Sequence, residues 1–542
     1  MPTAIPPSTL KAWLADGAEI ALFDVREHGA YGAGHPFFAV PLPYSRFEAG
    51  LPVLAPNPGV RVVLCDGGDG VAARAAARAR GLGYGNVAVV AGGAPAWQAA
   101  GYTLFEGVNV PSKTFGEIVE ETRHTPRLTA QELAAMQGRT ENLVIVDGRP
   151  FAEYVRMSIP GGVCCPNGEL ALRIGDIAPD PKTKIVVNCA GRTRSIIGAQ
   201  TLIDIGVPNE VFALENGTQG WLLADLEIER GAHRRWPDEP PSRDMAALRR
   251  SARRFADANA AAFVAAGAVR AWLGDGARTT FLFDVRTEAE FAASGVPGFV
   301  HAPGGQLIQA TDQWVGVRGA RIVVLDGEEV RAPVVAGWLR QLGHDALVLS
   351  GGADAAAAHD FRRTAPAVPD LPRLGPGPIE TWTGGLPWVS VAEAAEGHRL
   401  GAFRFLDLRT SMSYRAGHIA GAPWTIRPHI AADAGGPSGS IVLVADDPVA
   451  AALAAVDLTE AGAHDVRMLR PDGFAAWRDA GLPVEITPDQ PSDGECIDFV
   501  FFTHDRQSNR EAARQYLTWE TGLTARLDDD ERAVFRPMRA AS

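Results

Sequence analysis

Cys189 opens the segment Cys-Ala-Gly-Arg-Thr-Arg-Ser, residues 189–195, so that two arginines and a serine follow one thiol within six places. This grouping suits nucleophilic chemistry on an anionic or sulfur-bearing substrate. A thiolate attacks, and guanidinium groups hold anionic oxygens through charge-assisted hydrogen bonds. The candidate catalytic residue is Cys189, and Ala190, Gly191, Arg192, Thr193, Arg194 and Ser195 are the candidate substrate-binding set. Arg194 is favoured over Arg192, which has room to face solvent. The expectation is a thiol pKa lowered by both arginines and by a helix N-terminus.

Such a loop needs an element on each side. Ile185–Asn188 (IVVN) reads as a strand, and Ser195–Gly206 (SIIGAQTLIDIG) reads as a helix. Ile196, Ile197, Ala199, Leu202, Ile203 and Ile205 favour one helical face, and Gly206 is a fitting stop. Strands alternating with helices imply a parallel sheet, whose ligands bind where the strands end.

The strand phrase has relatives elsewhere in the chain. Apolar runs ending in Asp-x-Arg start at Leu22, Ile145, Leu282 and Phe405, and each leads to a Gly-containing turn at Gly93, Gly217, Gly352 and Gly473. From the Asp to the Gly the separations are 69, 70, 68 and 66 residues, which marks four homologous units. The starting aspartates Asp24, Asp147, Asp284 and Asp407 are spaced by 123, 137 and 123 residues, so the units form two pairs, with the division near Arg234–Arg254. A Pro/Gly tract, Pro366–Pro378, separates the third and fourth units. Because Asp-x-Arg recurs in units that lack a loop cysteine, Asp147 and Arg149 read as a structural ion pair at the base of the loop.

The other cysteines are weighed against the same frame. Cys189 precedes Gly217 by 28 residues, and counting back 28 from Gly93 reaches Cys65, a secondary candidate whose loop CDGGDGV holds two aspartates and no arginine. The same count from Gly473 reaches Ala445, and the third unit has Asp326 near that place, so units three and four read as scaffold or interaction modules. Cys164 and Cys165 read as core residues and Cys496 carries no mechanistic hint.

Composition narrows the function classes. Acidic residues outnumber basic ones 64 to 51, for a formal charge of −13, which argues against nucleic acid or an anionic membrane as partner. No apolar run reaches the length of a membrane span, about 18 residues, and the start MPTAIPPSTLKAW lacks a basic segment followed by an apolar one. A soluble, cytoplasmic protein is expected. Cysteine spacing indicates neither a disulfide framework nor a metal site, no cofactor is implied, and none of the 12 histidines pairs with the loop by spacing.

The chain resembles the rhodanese superfamily of thiosulfate and mercaptopyruvate sulfurtransferases, over nearly everything before residue 488. The resemblance rests on the Asp-x-Arg strand, Gly417–Pro423 (GHIAGAP), Ser158–Pro166 (SIPGGVCCP), the cysteine loop, Gly217–Trp221 (GTQGW) and Asp472–Trp477 (DGFAAW). It implies four tandem doubly wound α/β domains with mostly parallel sheets, at 1–110, 111–235, 255–375 and 376–487, with a linker at 236–254 and an extension at 488–542. It also implies that the cysteine of the second domain carries sulfane sulfur as a persulfide. The donor would be thiosulfate or a related persulfide, and the acceptor cyanide, glutathione or a protein thiol. The loop departs from the common C-x-x-G-x-R, with Gly191 one place early and Arg192 where the glycine usually stands. Phosphatases and arsenate reductases of this fold use C-x5-R, and C-x4-R here suits the smaller sulfane sulfur. A sulfur carrier or docking scaffold is the other reading, and the extension is free to cap an edge or mediate homodimer contacts.

Overall fold

The computed structural model describes residues 2–237, 244–362, 386–435, 439–470, 472–503 and 509–538. In the second repeat β1 (Arg127–Leu128), β2 (Leu143–Asp147), β3 (Val163–Cys164), β4 (Lys184–Asn188) and β5 (Val211–Leu214) form one parallel sheet, in the order β1-β5-β4-β2-β3. Ile185, Val186 and Val187 of β4 are all fully buried, as a parallel strand covered on both faces requires. The strand order reverses between β4 and β2, so a crevice opens at the ends of those two strands, beside Asp147 and Asn188.

The first and third repeats have the same five-strand order. The fourth keeps four of the strands, and its His418–Ile419 pairs instead, antiparallel, with Val484–Glu485. Tandem doubly wound domains are therefore what the chain builds.

The repeats do pair, but not as neighbours on either side of 236–254. One compact unit comprises Met1–Leu14, Ile20–Gly107 and Ala365–Phe501, and the other Ala15–Glu19, Val108–Thr364 and Phe502–Ser542. The first repeat thus joins the fourth, and the second joins the third. In the first unit Arg427 donates to both oxygens of Glu48 at 2.6 and 2.8 Å, and Arg74 pairs with Asp457 at 2.8 Å.

Helices of the second unit explain its pairing. Among them are α1 (Val110–Arg123), α2 (Phe151–Arg156), α3 (Asn167–Ile177), α4 (Thr193–Asp204), α5 (Gly217–Leu223), α6 (Met245–Ala258), α7 (Arg331–Gln341) and α8 (Arg510–Gly522). Arg331 of α7 reaches Glu169 of α3 at 3.0 Å, and the Trp338 indole donates to Thr201 of α4 at 2.8 Å. The second half of the stretch 236–254 is the start of helix α6, which continues into the third repeat. Within α6, Ala252, Phe255 and Ala256 are buried, and Phe255 packs on Trp338 with ring centroids 5.6 Å apart. Residues 238–243 and the tract Pro366–Pro378 lie outside the described residues.

Candidate active site

The Asp-x-Arg phrase builds the floor of the site. Arg149 Nε and Nη2 donate to the two oxygens of Asp147 at 2.8 and 2.7 Å, and Nη2 also donates to the Met157 carbonyl at 2.6 Å. Asn188, the residue before Cys189, donates from Nδ2 to Asp147 at 2.9 Å, which ties the strand end to this pair. The other repeats repeat the arrangement, with Arg26, Arg286 and Arg409 each bound to its aspartate and to a carbonyl eight residues on. The pair is structural, as its recurrence predicts.

Cys189 follows β4 directly, is 2% exposed, and its thiol donates to Ser195 Oγ at 3.6 Å. The Ser195 hydroxyl donates to the Arg192 carbonyl at 2.8 Å, which fixes the first turn of α4 beneath the thiol. Across the loop, Thr218 and Gln219 backbone N–H groups donate to the carbonyls of Cys189 at 2.8 Å and Ala190 at 3.1 Å. Gly217 makes that approach possible. It has φ +51°, and a Cβ there would lie 2.3 Å from the Cys189 carbonyl oxygen.

The electrostatics differ from the expectation. Burial raises the Cys189 thiol pKa above its ordinary value, Arg194 and Ser195 pull it down without cancelling that rise, and Glu520 adds to it. Both arginines are also partnered. Arg194 donates to Glu153 at 2.8 and 2.9 Å. Arg192 is buried and does not face solvent: it donates to Glu117 at 2.7 and 2.8 Å, to Glu120, and to Asn216 at 3.2 Å. Burial pushes the Glu117 carboxyl up to about 7 against the pull of Arg192. The charge of Arg194 is the largest influence that lowers the thiol pKa.

Spacing gave no signal for three groups of site residues. Glu117 and Glu120 come from α1, Glu153 from α2, and Glu520 from α8, near the end of the extension. Thr193 Oγ1 donates to Glu520 at 2.8 Å, and a Cβ on Gly191 would meet Glu520 Oε2 at 3.1 Å and Tyr516 at 3.3 Å. The extension therefore covers the loop. Amphipathic periodicity of residues 510–522 marks a helix, but nothing local states which surface it covers.

The corresponding loops of the other repeats settle the equivalences. Asp24 pairs with Cys65 across the sheet as Asp147 pairs with Asn188, so Cys65 matches Asn188 and Asp66 matches Cys189. Ala94 N–H donates to Asp66 O at 2.8 Å, and Ala353 N–H to Asp326 O at 2.8 Å, as Thr218 does to Cys189. The count of 28 misplaces Cys65 because the first repeat is one residue shorter over this stretch. Its thiol is buried, donates to the Asp66 carbonyl at 3.8 Å, and is raised well above its ordinary value by burial and then by Asp24. Cys164 and Cys165 are buried, the former donating to the Arg149 carbonyl at 3.5 Å with its pKa pushed up to about 12 by burial.

A strand-end thiol before a helix start, repeated sheets of one strand order, and the Asp-x-Arg floor together define a class. The profile described as rhodanese-like domain matches residues 6–100, 129–224 and 265–359, more than half of the chain, and the chain belongs to that family. A crystal structure of thiosulfate sulfurtransferase from Pseudomonas aeruginosa is similar over 99% of this chain and 100% of its own, at 37% identity and TM-score 0.86. An HTH-type transcriptional regulator of Mycobacterium tuberculosis is 33% identical over 90 residues, 17% of this chain, and the chain spans 39% of that relative. Among the described residues no helix is long and apolar enough to cross a membrane.

Proposed function

We propose that the chain is a sulfurtransferase that moves sulfane sulfur from thiosulfate or a related persulfide donor to a thiophilic acceptor through a Cys189 persulfide. The observation that carries this reading is the position of Cys189 Sγ at the end of β4, against Ser195 at the start of α4 and within the field of Arg194. The Cys189 thiol gives its proton to water, the resulting thiolate attacks the outer sulfur of the donor, the bond to the rest of the donor breaks, and its electron pair leaves with the released anion. Arg194 and the N-terminal end of α4 are the groups available to hold the bound sulfur species. Similarity to a thiosulfate sulfurtransferase along the whole chain supports the same reaction type.

Cyanide, glutathione and protein thiols are acceptors compatible with this chemistry. The test is transfer from thiosulfate to cyanide by wild type and Cys189→Ser, with intact mass spectrometry after thiosulfate, mercaptopyruvate and glutathione persulfide in turn. One added sulfur that vanishes in Cys189→Ser is expected, and full activity in that variant defeats the assignment. A second reading, a sulfur carrier without rapid turnover, draws on the buried thiol and its partnered arginines. It predicts one fast sulfur loading and negligible multiple turnover.

A further inference from the structure

Two buried side chains beside the loop have polar atoms that the sulfur chemistry above does not use. Gln219 is 0% exposed, and neither its Nε2 nor its Oε1 has a hydrogen-bond partner. Glu520 is 1% exposed, and although Oε1 accepts from Thr193, Oε2 has no partner. Both groups face the Gly191 Cα across a gap that glycine leaves open: a Cβ there would come within 3.1 Å of Glu520 Oε2, tighter than an ordinary contact, and 3.7 Å of Gln219 Nε2. Leaving such atoms buried and unpaired is costly, more so for a charged one, so their natural use is to pair with something that comes and goes.

Their chemistry selects the visitor. A carboxylate oxygen and an amide oxygen accept hydrogen bonds, and only the amide nitrogen donates. Charge selects in the same direction, because Arg192 is bonded to Glu117 and Glu120, and Arg194 to Glu153, while Glu520 is bonded to the uncharged Thr193 hydroxyl and meets Arg192 only through its field. Its helix is anchored: Lys113 lies over the Tyr516 and Trp519 rings at 5.2 and 4.8 Å, and Thr524 donates to Glu121 at 2.9 Å. The carboxylate is thus a fixed wall of the site.

We propose that Glu520 and Gln219 form, over Gly191, a recognition site for the ammonium end of a small aminothiol that accepts sulfur from Cys189. The proposal rests on the sulfurtransferase reading and names its acceptor class. In the step, the acceptor sulfur bonds to the outer sulfur of the Cys189 persulfide and the bond from Sγ breaks. The electron pair stays on Sγ, the acceptor's thiol proton passes to Cys189, and the acceptor leaves as a persulfide. No external oxidant or reductant enters.

The experiment uses the full chain, loaded with one sulfur from thiosulfate, and follows loss of that sulfur by intact mass. Three small thiols serve as probes: cysteamine, 2-mercaptoethanol and 3-mercaptopropionate, whose far ends are cationic, neutral and anionic. Glu520→Gln keeps the shape and the Thr193 contact, and it should lower the cysteamine to 3-mercaptopropionate rate ratio about tenfold, the size of one lost charge-assisted hydrogen bond. Gln219→Met should lower it less, in the same direction. If loading is normal and neither variant moves the ratio, the recognition site is wrong and the sulfurtransferase reading stands. If wild type takes up no sulfur at Cys189, that reading fails and this proposal falls with it.

Discussion

The loops of the second and third repeats share one backbone plan and differ in what fills it. In the second, Cys189 leads into α4. In the third, Asp326 stands at the same register and its carboxylate accepts from the backbone N–H groups of Glu329, Val330 and Arg331 at 2.9, 2.9 and 2.7 Å. The first repeat follows the third: Asp66 accepts from Gly68, Gly70 and Ala72 at 2.9, 3.1 and 3.0 Å. An anion cradle made of N–H groups is available in each place, and an aspartate at the nucleophile position closes it from within. Absence of a cysteine is therefore only half of what separates those repeats from the second.

The largest test of that contrast is Cys189→Ser, which should reduce thiosulfate-to-cyanide transfer to the uncatalysed rate, while Cys65→Ser leaves it unchanged. Equal losses in the two variants would break the comparison. Next, Arg194→Met should lower kcat/KM for thiosulfate about 100-fold, and Arg192→Met about tenfold, since Arg194 is the larger favourable charge on the thiol. The pH profile comes third. Because burial holds the Cys189 pKa above the ordinary thiol value, the thiolate is a minor form at neutral pH. The rate of sulfur loading under single-turnover conditions should keep rising with pH past the ordinary thiol value, and a profile flat through neutrality would indicate a lowered pKa instead. The smallest effect concerns stability. Asp326→Ala strips three N–H groups of their acceptor and should cost about 2 kcal/mol by urea unfolding, with sulfur transfer unaltered.

The fold is legible in the sequence where a pattern repeats or where neighbours in the chain are neighbours in space. Asp-x-Arg and the closing glycine revealed the domains, because a strand end and a turn that touch the same loop must keep their distance along the chain. Strand Lys184–Asn188 and helix Thr193–Asp204 fell within two residues of their predicted limits, since apolar runs and a glycine stop are local signals. Counting failed by one residue at Cys65, where only the sheet register tells the nucleophile position from its neighbour. The lowered pKa failed because two arginines in sequence say nothing of Glu117, Glu120 and Glu153, which arrive from other helices, nor of the burial that outweighs them. The nested pairing and the position of α8 depend on long-range packing, to which no periodicity points.

The contact between Thr193 and Glu520 spans 327 residues. A ribosome adding about 5–20 residues per second needs roughly 15 to 65 seconds to cover that distance. For that interval the second repeat can already hold its strands and its loop while the wall over Gly191 does not yet exist. Cys189 thus begins its life more open to small oxidants and stray electrophiles than it is once Glu520 has been added, and a segment made long after the loop is the one that encloses it.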